Sequence, residues 1–269
     1  MRLYSRDYTN LYDEEKKEWE RIKNERMGGF RKLNVRRNAY RNYPKGVRHY
    51  MSFFPNNFLD AVDLRNKEEE LQNKLGAFNE LVTSNSSKET DLLNYINRNE
   101  ASFIIGSILQ RYDFGHHESY VFPEFQLGNS IRIDYLIVGR NSSGYHFIAV
   151  ELEAPNGRTT LNTGAPGDAM RKGTSQIDTW KDWFINNPYG ISETFDKYYS
   201  NHLNLQLPRE FGIHLPDKWH YVVIVGKKSD FSAATYSYQD RMKSNQRTWV
   251  FHYDKLVENA ESVIGKITY

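Results

Sequence analysis

The spacing of apolar positions changes character along the chain. Residues 66–82 carry Leu71, Leu75, Phe78 and Val82 at helical intervals, and the stretch ETDLLNYINRNEASFIIGSILQRY, opening at Glu89, continues the pattern with Leu92, Leu93, Ile96, Phe103 and Ile104 as one long helix or two in succession. Ahead of them, DEEKKEWERIKNER (13–26) reads as a charged helix with a very small apolar face, ended by Gly28 and Gly29. From residue 119 the period falls to two. SYVFPEFQL, IRIDYLIV and HFIAVELE are rich in β-branched and aromatic residues and predict three strands, the last two closed by GRNSSG into a hairpin. The Gly, Asn, Thr and Pro content of NGRTTLNTGAPG marks a connection to a helix within 168–186. A strand at 219–226 (WHYVVIVG), a helix at 232–245, a strand at 247–253 (RTWVFHY) and a helix at 254–264 follow.

The order αβββαβαβα predicts an α/β (α+β) fold, with 187–217 as an irregular insertion. The polar break TSNSSK suggests a boundary between a basic, partly helical N-terminal region (1–85) and a second domain (86–269).

Composition narrows the chemistry. The 269 residues hold no cysteine, which excludes disulfides, thiolate metal sites and cysteine nucleophiles together. Hydrophobic residues make up 39%, a thin core for this length, so packing is expected to lean on large aromatic side chains or on a partner subunit. Neither an apolar leader nor a membrane-length apolar run is present, which predicts a cytoplasmic protein with no membrane partner. The motifs GxSxG and GxxxxGK[ST] are absent.

The net charge of +2 conceals a split, +7 over residues 1–50 and −5 over the remainder. Residues 26–50 contain eight Lys or Arg, no acid, and interleaved aromatics. Arg31, Lys32, Arg36, Arg37 and Arg41 are therefore candidates for contacting a nucleic-acid backbone. The alternative is an arm that docks on acidic surface elsewhere in the chain or on a neighbouring subunit.

Carboxylates in the strand region carry the candidate chemistry. Asp134 interrupts an apolar strand, while Glu151 and Glu153 end the next one on a shared face, about 7 Å apart at Cα. A simple hairpin sets Asp134 opposite position 150, 151 or 152. Three acids so placed repel one another and call for a cation. Oxygen ligands without cysteine or a paired-histidine motif suit Mg²⁺ or Mn²⁺. The plainer reading makes the two glutamates solvent-facing and puts Asp134 at a turn. Downstream, Lys172, Gln176 and Trp180 share a helical face if the helix runs through Gly173. That face either looks at the acids or is surface, with Trp180 as core.

Glu89 with LLNYINRNEASFI, then FQLGNSIRIDYLIV, IAVELEAP, SQIDTW, WHYVVIVG and WVFHYDKL, form successive blocks over roughly residues 86–264. Their order and wording resemble the catalytic domain of Shedu-type immune nucleases, a variant of the PD-(D/E)XK restriction-endonuclease-like fold. The resemblance implies a metal-dependent DNA endonuclease acting in bacterial anti-phage defence, assembled as a homo-oligomer, a dimer or tetramer. It matches Asp134 and Glu151 to the metal-binding acids, Gln176 to the glutamine of the following helix, and Glu89 to an acid on the first helix. One departure stands out. Where the family pattern reads Glu, any residue, Lys, this chain has Glu151, Leu152, Glu153. Three outcomes follow: Glu153 serves as metal ligand or general base, Lys172 reaches in from the helix, or the chain is a non-catalytic DNA-sensing or assembly module.

Overall fold

The computed structural model describes residues 2–27, 40–200 and 204–269. The sheet forms where the period-two pattern predicted it. Strands β1 (Glu118–Leu127), β2 (Ile131–Asn141) and β3 (Gly144–Leu152) make an antiparallel meander. Strands β4 (Trp219–Ile224) and β5 (Thr248–Phe251) extend it in parallel from the β3 edge, so spatial order follows chain order. Antiparallel and parallel pairs meet at β3, which gives a five-stranded mixed sheet in a mixed α/β protein.

Ten α-helices surround it among the described residues: α1 (Asp13–Met27), α2 (Lys45–Tyr50), α3 (Ala61–Asn66), α4 (Glu68–Thr83), α5 (Glu89–Arg98), α6 (Phe103–Gly106), α7 (Asp168–Asn186), α8 (Ile191–Asp196), α9 (Ala233–Gln246) and α10 (Tyr253–Val263). Side-chain alternation along β3 divides the core into two layers. Ile148, Val150 and Leu152 join Leu71, Phe78 and Ile96 of α4 and α5 and Leu256 of α10 on one face. Phe147 and Ala149 meet Met170, Ile177, Trp180 and Phe184 of α7 on the other. Large aromatics fill this second layer, where Phe147 stacks on Trp219 at 4.8 Å between ring centroids.

Two helical expectations hold and one expectation is corrected. The helix expected over 66–82 is α4, which Lys67, outside helical geometry, sets off from the short α3 so that Leu64 and Leu71 enter the same layer. The stretch from Glu89 is the two helices in succession that its pattern allowed: α5 stops at Arg98, and Glu100, at a left-handed φ of 50°, turns the chain into α6 and a 3₁₀ segment. The insertion at 187–217 is not merely irregular: α8 and a 3₁₀ turn at Arg209–Phe211 bury Ile191, Phe195 and Phe211 in the α7 layer. The polar break at 83–88 joins α4 to α5 inside one apolar layer.

Of the basic segment, Arg31, Lys32, Arg36 and Arg37 lie outside the described residues. Its C-terminal part docks on acids of this chain. Arg48, 5% exposed, donates from Nε and Nη2 to Asp60 at 2.9 and 2.6 Å, and Lys45 pairs with Asp63. Tyr40 donates its hydroxyl to the Arg48 carbonyl, and Tyr43 packs edge-on against Trp19. Arg41 is exposed beside a cavity that it lines with His116 and His117. No helix among the described residues is long and apolar enough to cross a membrane.

Candidate active site

A local break in sheet regularity brings the acids together. Tyr120 and Phe122 of β1 face the α7 layer, and so do Phe125 and Leu127, so one step of alternation is lost at Glu124. On β2 the same slip separates Ile133 from Leu136 and falls at Asp134, where the ladder skips from the Pro123–Tyr135 pair to Phe125–Ile133 and leaves Glu124 and Asp134 unpaired with each other. Glu124 takes a φ of 51°, a conformation that costs a residue with a Cβ about 1 kcal/mol. Regular pairing of β2 with β3 ends at Tyr135 with Val150, while β3 continues beside β4 through Leu152. Within this parting Asp134 Oδ2 accepts from the Leu152 N–H at 2.9 Å.

Carried one step past its last pair, Tyr135 with Val150, the register points Asp134 at position 151, inside the range the hairpin predicted. Glu151 and Glu153 follow Phe147 and Ala149 on the α7 face and are nearly enclosed, 4% and 2% exposed. They are not solvent-facing strand residues. The Tyr253 hydroxyl fixes the strand end by donating to the Glu153 carbonyl at 2.7 Å.

Helix α7 runs unbroken through Gly173 and packs against this strand end. A Cβ at Gly173 would fall 2.6 Å from Val223 Cγ1 and 3.1 Å from Glu153 Cγ, so glycine permits the close approach. One residue earlier, Lys172 Nζ donates to Glu153 Oε2 at 2.8 Å and to Glu89 Oε2, at the first turn of α5, at 3.0 Å. Thus an ammonium enters from the helix where the strand carries a second glutamate. Asp134, Glu151, Glu89, Lys172 and Gln176 line one open cleft of about 540 Å³. Trp180 is fully buried in the core and takes no part.

The electrostatics are those of crowded acids. Burial, then repulsion from Asp134 and Glu153, pushes Glu151 up to about 9. Burial raises Glu153 to about 7 against the pull of Lys172, and burial raises Asp134 to about 6 against the Leu152 hydrogen bond. Partial burial works against the Lys172 charge, but its hydrogen bonds to Glu153 and Glu89 prevail and raise its pKa. Glu153 Oε1 is buried without a hydrogen-bond partner, an arrangement that disfavours the ionised acid unless a cation or donor arrives.

Among the described residues no group of three or more His, Asp or Glu side chains is gathered closely enough to hold an ion unaided. Mg²⁺ asks less of a protein, since it binds through one or two carboxylates and fills its shell with water and substrate phosphate. Asp134, Glu151 and the unpartnered Glu153 Oε1 supply the hard oxygens that fit it.

Sequence reasoning missed the rest of the cleft. Gln126, Asn129, Ser130 and Arg132 of the β1–β2 hairpin line it together with α7, and nothing in their spacing marked them. Gly173 left a trace as a glycine inside a helical pattern. No family model matches this chain. No curated protein matches it.

Proposed function

We propose that the protein is a divalent-metal-dependent DNA endonuclease on a PD-(D/E)XK-type core, acting as a homo-oligomer in anti-phage defence. The observation that carries the reading is the near-complete enclosure of Glu151 and Glu153 at one strand end, beside a cleft that Asp134 and Glu151 line, with Lys172 hydrogen-bonded to a Glu153 whose other oxygen has no partner. Lys172 pairs with Glu89 and Glu153, while Asp134 and Glu151, on the same cleft, make no ion pair among the described residues. Carboxylates with raised pKa values gathered at a cleft are the pattern of a functional site. The defence role and the assembly rest on the resemblance of the sequence blocks.

Asp134 and Glu151 would hold Mg²⁺ or Mn²⁺, with Glu153 beside them. Such an ion, when bound, polarises a phosphoryl oxygen and lowers the pKa of water. Glu153, held near 7, is poised as the base that takes the proton as water oxygen forms its bond to phosphorus and the bond to the leaving sugar oxygen breaks. Lys172 keeps Glu153 oriented and offsets charge gathering on the phosphoryl oxygens. Gln176, on the cleft wall one helical turn along α7, has an amide suited to the attacking water or a phosphate oxygen.

The test is plasmid DNA incubated with Mg²⁺, Mn²⁺ or EDTA, beside Asp134→Asn and Glu151→Gln. Metal-dependent nicking lost in both variants is expected. Intact plasmid under every metal, with DNA still bound, would instead establish the non-catalytic DNA-sensing module.

A further inference from the structure

A second cleft opens from the same strand end as the acids. It lies between the loop after β3 and the loop after β4, where polar groups collect at the carboxyl ends of two parallel strands. Its volume is about 500 Å³, and Asn85, Asn156, Arg158, Thr160, Lys227 and Ser229 line it. The floor is preformed. Thr159, 2% exposed, donates from Oγ1 to the Asp230 carbonyl at 2.6 Å and so joins the two loops. Gly226, at a φ of 66°, leaves room for Thr159 where a Cβ would lie 2.5 Å from Thr159 Cγ2. Asn156 Nδ2 donates to the carbonyls of Ser84 and Ser87 at 3.0 and 3.2 Å, tying the cleft to the chain entering α5.

The charge is positive and unspent. Arg158 is exposed and has no hydrogen-bond or ion-pair partner among the described residues. Lys227 Nζ donates to the Thr83 carbonyl at the end of α4 and to Asn85 Oδ1, at 3.1 and 3.4 Å, which leaves one of its three N–H groups and its whole charge without a carboxylate. Asp230, the one acid in the lining, is turned onto the Lys227 backbone N–H at 2.8 Å. A cleft with two cations and amide and hydroxyl donors fits a phosphodiester.

We propose that this cleft seats a backbone phosphate of the DNA strand that also enters the acidic cleft, within about three nucleotides of the reacting phosphodiester, with Arg158 and Lys227 as its cationic contacts. The inference rests on the nuclease reading and adds the strand's path. Asn156 is three residues from Glu153, at most about 11 Å of extended chain, or roughly three nucleotides at the rise of a B-form strand. The same strand end thus holds reacting and anchoring contacts at fixed separation.

The test is binding of a labelled DNA duplex in EDTA, followed over a salt series from about 50 to about 200 mM. Arg158→Ala should make the slope of log K against log salt shallower by about 0.9, and Arg158→Ala with Lys227→Ala by about 1.8. Lys227→Arg should keep the wild-type slope. Because Lys227 also caps α4, thermal unfolding accompanies each variant. Arg158→Ala loses no internal contact and serves as the arm that does not depend on folding. An unchanged slope in Arg158→Ala, or a wild type that binds no duplex, overturns the proposal. A slope that responds to Arg158 in a protein that never nicks plasmid upholds this cleft and removes the hydrolytic reading. Metal-dependent nicking with a slope indifferent to Arg158 does the reverse.

Discussion

Lys172 lies in the second turn of a helix and Glu153 just past the end of a strand, yet Nζ and Oε2 are 2.8 Å apart. The lysine is 54% exposed at its side chain and the glutamate 3%, so one charge sits at the cleft surface and the other inside. An ammonium is thereby delivered to the second glutamate of a strand end reading Glu151, Leu152, Glu153. The contact depends on helix approach rather than on strand sequence.

Replacing Lys172 by Met should lower nicking by about 10²- to 10⁴-fold, the range for loss of a positioned acid–base partner. The effect on stability depends on pH. Without the ammonium, the folded-state pKa of Glu153 rises further above its unfolded value, so the folded protein holds the proton over a wider range. The loss in melting temperature should be small at pH 6 and larger at pH 8. Adding Glu153→Gln to Lys172→Met should restore melting at pH 8. No recovery in the double variant would mean that the pair is not coupled.

The ion-free acid cluster should make the protein less stable as pH rises. Asp134, Glu151 and Glu153, near 6, 9 and 7, all exceed ordinary carboxylate values of about 4. The folded state therefore binds more protons than the unfolded state between about pH 4 and 9. The stability so supplied is complete below about pH 4 and is lost as pH climbs through the folded values. A divalent ion takes the protons' place. Mg²⁺ or Mn²⁺ should raise the melting temperature more at pH 8.5 than at pH 6, and Glu151→Gln should flatten that difference. Equal shifts at both pH values would remove the cation from the site.

Much of this was legible before any coordinates. The five strands were marked by β-branched and aromatic runs, and the hairpin alone set Asp134 opposite Glu151 to within one position. What escaped notice depends on contacts remote in sequence. Glu124 in a left-handed conformation flips a strand whose letters alternate in no telling way. Phe195 and Phe211 sit in a segment with too little periodicity to announce that it fills a core layer. The pairing of Arg48 with Asp60 joins a basic run to a residue just beyond it, so composition exposed the charge excess but not its partner.

Gly173→Ala tests whether the helix approach is what serves the site. The added Cβ meets Val223 Cγ1 at 2.6 Å, and overpacking of that kind costs about 1–3 kcal/mol. Better helix propensity returns up to about 1 kcal/mol. The net change in unfolding free energy should therefore stay below about 3 kcal/mol, while displacement of Lys172 and Gln176 should cost about 10²-fold in nicking. Denaturant titration beside the plasmid assay separates the two. Full activity with a lowered melting temperature would reduce Gly173 to a packing residue.

Arg48→Ala should be among the most damaging changes outside the cleft, although it removes a member of the basic segment. Asp60 is enclosed with it, and burial alone would raise that acid. The contacts from His49 and Arg48 instead hold it down at about 2. A depressed acid contributes stability that is present above its unfolded value of about 4 and lost as pH falls through about 2. Deleting the guanidinium strands a buried carboxylate and should cost about 3–5 kcal/mol by urea unfolding at pH 7. Asp60→Asn in the same chain should recover a large share, because a neutral amide tolerates the pocket. The salt dependence of DNA binding should be unaffected, since Arg48 is committed to Asp60 and to the Tyr43 carbonyl. A shallower salt slope in a folded Arg48→Ala protein would return this residue to the DNA surface and leave the buried pair as a secondary role.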